Sequence, residues 1–402
     1  MKILMVNKFL YPRGGSESYM LYLAEYLKKI GHEIEFFGMY DEKNTVGNSK
    51  GLYTQNMDFH SKGLGRFLYP FKIIYSFEAK RKIMNVIDDF NPDIVHMNNI
   101  NFQLTPSIIY GIKKQGIPVV QTVHDYQMIC PNHLLYNFNK NTPCEKCVRG
   151  LNIHCIKNKC IHGSMVKSII GVIEAKFYSW LKTYKKVDLF VCPSNFLEKK
   201  LLSAKGYYEG KTKTIHNFID KEKFANTKRM EDSYIVFAGR LSKEKGIENI
   251  AGVAKILPQY TFIVAGSGPD EEMLKDIPNI RLAGFVTGDK LTELIGNAKV
   301  LLLPSVCYEN CPLSILEAHC MGVPVVTMNS GGMAELVKDG VTGTLVNDPT
   351  PEGIALKLKE TIEDEDYYNR IKENCKNEKD NILSVEIYAD SLIKEYEKLV
   401  ER

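Results

Sequence analysis

Two glutamates with seven residues between them, Glu309 and Glu317, stand in the stretch PSVCYENCPLSILEAHCMGVPVV, residues 304–326. The apolar run before them reads as a strand that ends at Pro304, and a helix is expected to start near Pro312 or Leu313. The turn Asn310, Cys311, Pro312 and Leu313 would then set the exposed backbone N–H groups of a helix start against a diphosphate. Glu317, one turn into the helix, is placed to accept hydrogen bonds from ribose hydroxyls, and Glu309 to grip the hydroxyls of a sugar. Taken alone, the pair is better explained as two surface carboxylates.

The pair has company. AGRLSKEKG (residues 238–246) follows a strand and opens a helix, so that Arg240 and Lys245 both reach a pyrophosphate. Two cations there would neutralise the charge that builds on a departing nucleoside diphosphate. VAGSGPDEEML (residues 264–274) adds a glycine turn at Gly266, weak evidence by itself because such turns are common in α/β proteins. Gly14–Gly15 sits at the first strand-to-helix turn, where two glycines let backbone approach a phosphate or sugar and Ser16 would cap the helix. An ordinary tight turn explains them equally well.

These residues need strands to end on and helices to start. Ile3–Val6, Glu33–Phe37, Asp93–Met97, Val119–Val123, Leu189–Cys192 and Thr214–His216 read as short strands. The first helix has apolar positions Tyr19, Leu23, Tyr26, Leu27 and Ile30, and ends at Gly31. The pattern restarts with strands at Tyr234–Ala238, Phe262–Ala265, Arg281–Leu282, Val300–Leu303 and Val325–Met328. Helices are expected at Ile247–Leu257, Lys290–Gly296, Leu313–Met321 and Gly353–Glu363. Strands alternating with helices imply parallel, doubly wound sheets. The polar stretch Asp220–Ser233 suits a crossing between domains. A tail helix over Val385–Leu399 offers Ile387, Leu392, Ile393, Tyr396 and Leu399 for burial. The division expected is 1–217, joined by 383–402, and 218–382, with the site in a cleft beyond the carboxyl ends of the strands.

The 402 residues are 44% hydrophobic and 25% charged, a soluble globular balance with length enough for two domains. No apolar run approaches a membrane span, and MKILMVN meets Lys8 without the apolar core of a signal peptide. A cytoplasmic location is expected, which makes the ten cysteines thiols or metal ligands rather than disulfides. Charge is uneven: residues 1–217 hold 30 Lys+Arg against 17 Asp+Glu, and residues 218–402 hold 22 against 31. No nucleic-acid module or repeat is present.

Arg240, Lys245, the Glu309/Glu317 pair and the Gly14–Gly15 turn together resemble the family 4 retaining glycosyltransferases. The likeness covers nearly the whole chain. HNFID (residues 216–220) is similar to the asparagine-containing segment that leads into that family's second domain. The resemblance implies the GT-B fold, two Rossmann-like domains facing across a cleft, with the last helix crossing back to the first. It implies Arg240 and Lys245 on the donor diphosphate, Glu309 on the donor sugar and Glu317 on the ribose. It also implies His124, in TVHDY, near the reacting sugar; without the family this histidine is better explained as structural. Asn310–Cys311 stands where many members carry Gly-Phe or Gly-Gly, a departure that touches the sugar pocket. The implied reaction moves a sugar from a nucleotide-diphosphate donor, UDP before GDP, with retention and without a protein nucleophile or a catalytic divalent ion. Two rivals share the fold: a sugar-nucleotide epimerase, whose carboxylate and histidine array is not evident, and a non-catalytic sugar-nucleotide sensor, which would be expected to lose Arg240, Lys245 or a motif glutamate.

Two further features stand apart. Cys144-x2-Cys147 with Cys155 and Cys160 gives four thiols within 17 residues, the pattern of a tetrahedral structural zinc site. Residues 66–82 interleave aromatics with basic residues, and residues 157–200 hold nine Lys against three acidic residues. Either segment alone fits a core-facing helix with a solvated basic face. Together they fit peripheral contact with an anionic membrane and a lipid-linked acceptor.

Overall fold

The structure, a computed structural model, describes residues 1–56, 69–149, 152–204, 208–225 and 234–401. Part of the 66–82 segment and of the 220–233 crossing therefore lies outside the described residues. The chain forms two compact units. Met1–Leu135, Glu145–His216 and Val385–Arg402 make the first; Tyr136–Cys144 and Asn217–Ser384 make the second.

The first unit carries β1 (Lys2–Val6), β2 (Glu33–Phe37), β3 (Ile94–Met97) and β4 (Val119–Thr122). The hairpin β5 (Tyr136–Asn137) and β6 (Thr142–Pro143) comes next in the chain, then β7 (Leu189–Cys192) and β8 (Thr212–Thr214). The first sheet runs β2-β1-β3-β4-β7-β8, all parallel. The second unit carries β9 (Tyr234–Ala238), β10 (Thr261–Ala265), β11 (Ile280–Gly284), β12 (Val300–Leu303), β13 (Val325–Met328) and β14 (Gly343–Val346). Its sheet runs β11-β10-β9-β12-β13-β14, again parallel. Central strands such as VLLL and VVTM are buried throughout, as a sheet covered on both faces requires. Serine, threonine or aspartate side chains at Ser76, Ser164, Ser194, Thr350 and Asp364 cap five of the helices.

The β5–β6 hairpin groups with the second unit, which the residue pattern did not foresee. Asn141 Nδ2 holds it there by donating to Glu248 Oε2 at 3.0 Å. In the tail helix, Val385–Val400, the buried face is Tyr388, Ala389, Leu392 and Tyr396, while Ile387 is exposed. Leu392 and Tyr396 are buried as expected; Tyr388 rather than Ile387 faces inward because its hydroxyl finds a partner beneath the helix. Tyr388 Oη lies 2.6 Å from Tyr19 Oη, and Tyr396 Oη meets His96 Nδ1. Ile30 is likewise exposed, as the C-cap of helix Gly15–Lys29.

Candidate functional site

In the second unit the strand order reverses between β9 and β12, so the loops after these strands leave toward opposite faces and open a crevice. The loop after β9 carries Arg240 and runs through a short 3-10 turn, Lys243–Lys245, into helix Ile247–Ile256. Gly246 has φ +77°, and a Cβ there would stand 2.0 Å from the Pro304 carbonyl oxygen, so only glycine allows the two loops to touch. The backbone carbonyl of Glu244 then accepts hydrogen bonds from the N–H groups of Val306 and Cys307 at 3.0 and 3.2 Å.

This clasp brings Lys245 Nζ to 2.5 Å from Glu309 Oε1, across 64 positions of sequence. Ser305 Oγ donates to the same oxygen at 2.8 Å. Burial pulls the Lys245 pKa down, but the charge and hydrogen bond of Glu309 outweigh it, and the ammonium ends above the ordinary lysine value. Gly332 N–H donates to the Glu309 carbonyl at 2.7 Å. A Cβ on Gly332 would meet the Asn310 carbonyl oxygen at 1.6 Å. The Gly331–Gly332 turn thus fixes the Glu309–Asn310 backbone.

Helix Leu313–Cys320 follows, with Pro312 as N-cap and no side-chain cap bond. Cys311 is buried, and its carbonyl accepts from Asn217 Nδ2 at 3.1 Å, tying the HNFID segment to the motif loop. Glu317 is half-buried, and desolvation raises its pKa to about 7 against the pull of Lys223. Arg240 is exposed. Gly266, with φ +143°, packs where a Cβ would lie 1.8 Å from the Gly239 carbonyl oxygen. Its turn shapes the Arg240 loop, which Leu241 N–H joins by bonding Ser267 O at 3.0 Å.

In the first unit the reversal lies between β1 and β3. Gly14 is the N-cap of helix Gly15–Lys29 in extended conformation, without a side-chain cap bond. Ser16 is not the cap: its hydroxyl accepts from Asn99 Nδ2 at 2.9 Å, which ties the helix start to the end of β3. Lys8, after β1, donates to Asn101 Oδ1 at 2.7 Å, and Asn101 Nδ2 donates to Asp125 Oδ2 at 3.0 Å. His133 Nδ1 lies 3.1 Å from Asn101 Nδ2, and its ring stacks on Phe102. This Lys8–Asn101–Asp125–His133 cluster escaped the sequence reading. The one signal was position, immediately past three predicted strands and in the loop beyond.

His124 is half-buried at the end of β4, with Nε2 2.9 Å from Asn98 Oδ1 and the Tyr19 ring edge-on against it. Burial lowers its pKa to about 4 despite Asp125, so the ring is neutral at pH 7. Behind it, Thr122 Oγ1 is shared by His96 Nε2 at 2.7 Å and Tyr19 Oη at 3.1 Å. The polar network that includes Tyr388 and Tyr396 of the tail helix therefore supports the histidine from below.

The cysteines do not assemble as the spacing suggested. Cys144 falls in the second unit, whereas Cys147, Cys155 and Cys160 belong to the first. Among the described residues no three His, Cys, Asp or Glu side chains are gathered to hold a metal ion. The four-thiol set Cys144, Cys147, Cys155 and Cys160 does not fit zinc as it stands. Cys155 donates its thiol hydrogen to Cys160, which raises the pKa of the first and lowers that of the second. Buried Cys130 lies within electrostatic reach of Cys147 and Cys160.

Two family models cover this framework. Residues 13–223 match Glycosyltransferase Family 4, and residues 218–378 match Glycosyl transferases group 1. An uncharacterised glycosyltransferase of Methanocaldococcus jannaschii is 26% identical over 94% of this chain and 93% of its own. An uncharacterised 42.6 kDa protein in the cps region of Klebsiella pneumoniae is 27% identical over 84% of this chain and 87% of its own. The crystal structure of Anabaena HepE in complex with UDP and glucose superposes with a TM-score of 0.70 at 17% identity, over 99% of this chain and 100% of that one. Two parallel Rossmann-like sheets, the clasped Lys245–Glu309 loops and these matches lead to one assignment: the chain belongs to glycosyltransferase family 4 and is a glycosyltransferase of the GT-B fold.

Proposed function

We propose that the chain transfers a sugar from a nucleotide-diphosphate donor, UDP-linked before GDP-linked, to a carbohydrate or lipid-linked acceptor, with retention. The observation that carries the reading is the Lys245–Glu309 pair set before the uncapped start of helix Leu313–Cys320. A diphosphate at that helix start meets backbone N–H groups, with Arg240 and Lys245 supplying positive charge. Glu309 keeps Lys245 charged and is itself available to sugar hydroxyls. Glu317, one turn further on, accepts from the ribose. In such a site the protein positions and stabilises charge, while the departing phosphate takes the acceptor proton on the same face of the sugar. The UDP complex of the HepE neighbour supports the choice of base, and the cps-region relative supports surface-polysaccharide synthesis. The basic first unit supports an acceptor presented at an anionic membrane.

A thermal-shift screen of sugar nucleotides tests the donor, because a ligand that binds the folded state raises the melting temperature by mass action. A UDP-sugar should give the largest shift, and incubation with it should release UDP. If no nucleoside diphosphate sugar shifts the transition, the donor assignment falls.

A further inference from the structure

Helix Met165–Trp180 is inside out. Its buried face is Ser168, Gly171, Glu174 and Tyr178. Its exposed face is Met165, Val166, Ile169, Ile173 and Trp180, with Trp180 78% exposed. A helix on a water-soluble surface turns its apolar stripe to the core, and this one does the opposite. The inner face is held by specific contacts. Tyr178 Oη donates to the Ile74 carbonyl at 2.5 Å, and Ser168 Oγ accepts from the Ile161 N–H at 3.1 Å. Gly171 packs where a Cβ would stand 2.3 Å from Ile161. Glu174 and Tyr178 line a cavity of about 40 Å³. The orientation is therefore fixed, and the outward apolar face is a built feature.

The aromatic surface continues beside it. Phe177 stands edge-on to Tyr75, and Tyr75 packs against Phe77, which is 78% exposed. Around the apolar face stand exposed Lys167, Lys176, Lys182, Lys185 and Lys186, while Glu174, the sole carboxylate of the helix, points inward. Apolar side chains fringed by lysines, with a tryptophan at the rim, suit an interface between acyl chains and anionic headgroups. Of the basic residues around position 80, Lys82 is engaged elsewhere, Lys80 adjoins this aromatic surface and Arg81 is exposed. Lys82 bonds the Tyr53 carbonyl and Glu78, and Lys80 bonds Tyr75 Oη.

We propose that helix Met165–Trp180 is the membrane-inserting element of the first unit, lying in the plane of an anionic lipid surface with Met165, Val166, Ile169, Ile173 and Trp180 in the headgroup–acyl boundary. This rests on the membrane-facing part of the function proposed above and names the surface that performs it. Trp180 is the only tryptophan of the chain, so its fluorescence reports the insertion directly. With vesicles containing phosphatidylglycerol, emission should shift to the blue and be quenched by brominated acyl chains, and neutral vesicles should do neither. The Ile169→Glu/Ile173→Glu double variant should weaken co-sedimentation at least ten-fold. Both side chains are exposed, so its melting temperature and its shift with a UDP-sugar should match the parent. If the parent sediments with the vesicles while Trp180 emission stays put, another surface binds lipid and the helix assignment is overturned. If the parent stays in the supernatant at low salt, the membrane reading falls with it. A dimer in sedimentation velocity that the double variant dissolves would make the face a self-interface and also overturn the proposal.

Discussion

Each unit places a lysine where its strand order reverses, and the two lysines have been given opposite partners. In the second unit Lys245 faces the carboxylate of Glu309 at 2.5 Å. In the first, Lys8 donates to the amide oxygen of Asn101, and burial lowers its pKa below the ordinary value. The carboxylate guarantees a cation where a diphosphate is expected. The amide leaves a lysine that is more readily neutralised, one link from Asp125 and His133. Topologically similar crevices are thus tuned for different tasks: one holds charge, the other offers a network of neutral and ionisable hydrogen-bonding groups.

Removing the cations of the second unit should have the largest effect. Lys245→Ala and Arg240→Ala are each expected to slow transfer by about 10²–10³-fold at saturating donor, the usual cost of a lost charge-stabilising contact. Melting temperature should change little for exposed Arg240, and turnover near that of the parent would assign the leaving group to other residues. Glu309→Gln should act through pH as well as through the sugar. With the carboxylate gone, desolvation dominates at Lys245 and its pKa drops. The alkaline limb of the rate profile should then move to lower pH, and the pair's contribution to stability, present below pH 10.5 and lost above it, should vanish.

Glu317 carries the reverse sign. Its folded pKa of about 7 exceeds the ordinary glutamate value of 4.5, so ionisation opposes folding progressively between these two values. Glu317→Gln should raise the melting temperature at pH 8 more than at pH 5, while weakening donor binding, as read by titration calorimetry at both pH values. Lys8→Ala is expected to raise the acceptor KM about ten-fold and leave the donor-induced thermal shift unchanged, which separates the two crevices by function.

The alternation of strands and helices was legible because a parallel sheet covered on both faces leaves continuous apolar runs such as Val300–Leu303. The donor-side residues were legible because loop chemistry at strand ends is compact in sequence: Arg240 and Lys245 share one loop, and Glu309 and Glu317 another. What joins the loops was not legible. Gly246 against Pro304 and Gly331–Gly332 against Glu309–Asn310 are close approaches between distant segments, and each glycine alone looks like any turn. The cysteine spacing misled for a related reason, since the β5–β6 hairpin carries Cys144 into the other unit. The tail helix was legible with Leu392 and Tyr396 on its buried face, but Ile387 is exposed and its neighbour Tyr388, with a satisfied hydroxyl, takes the inward place.

That tail has a consequence for how the molecule comes into being. The hydroxyls of Tyr388 and Tyr396 reach partners 369 and 300 positions earlier, at Tyr19 and His96. On the ribosome the first sheet emerges early, yet its closing helix is made only after every strand of both units. The later unit, nearly continuous in sequence, has all its strands before that helix appears. Loop closure over such separations is slow relative to local pairing. Vectorial synthesis therefore leaves the earlier sheet with a polar gap beside Thr122 until the whole of the later unit has been made.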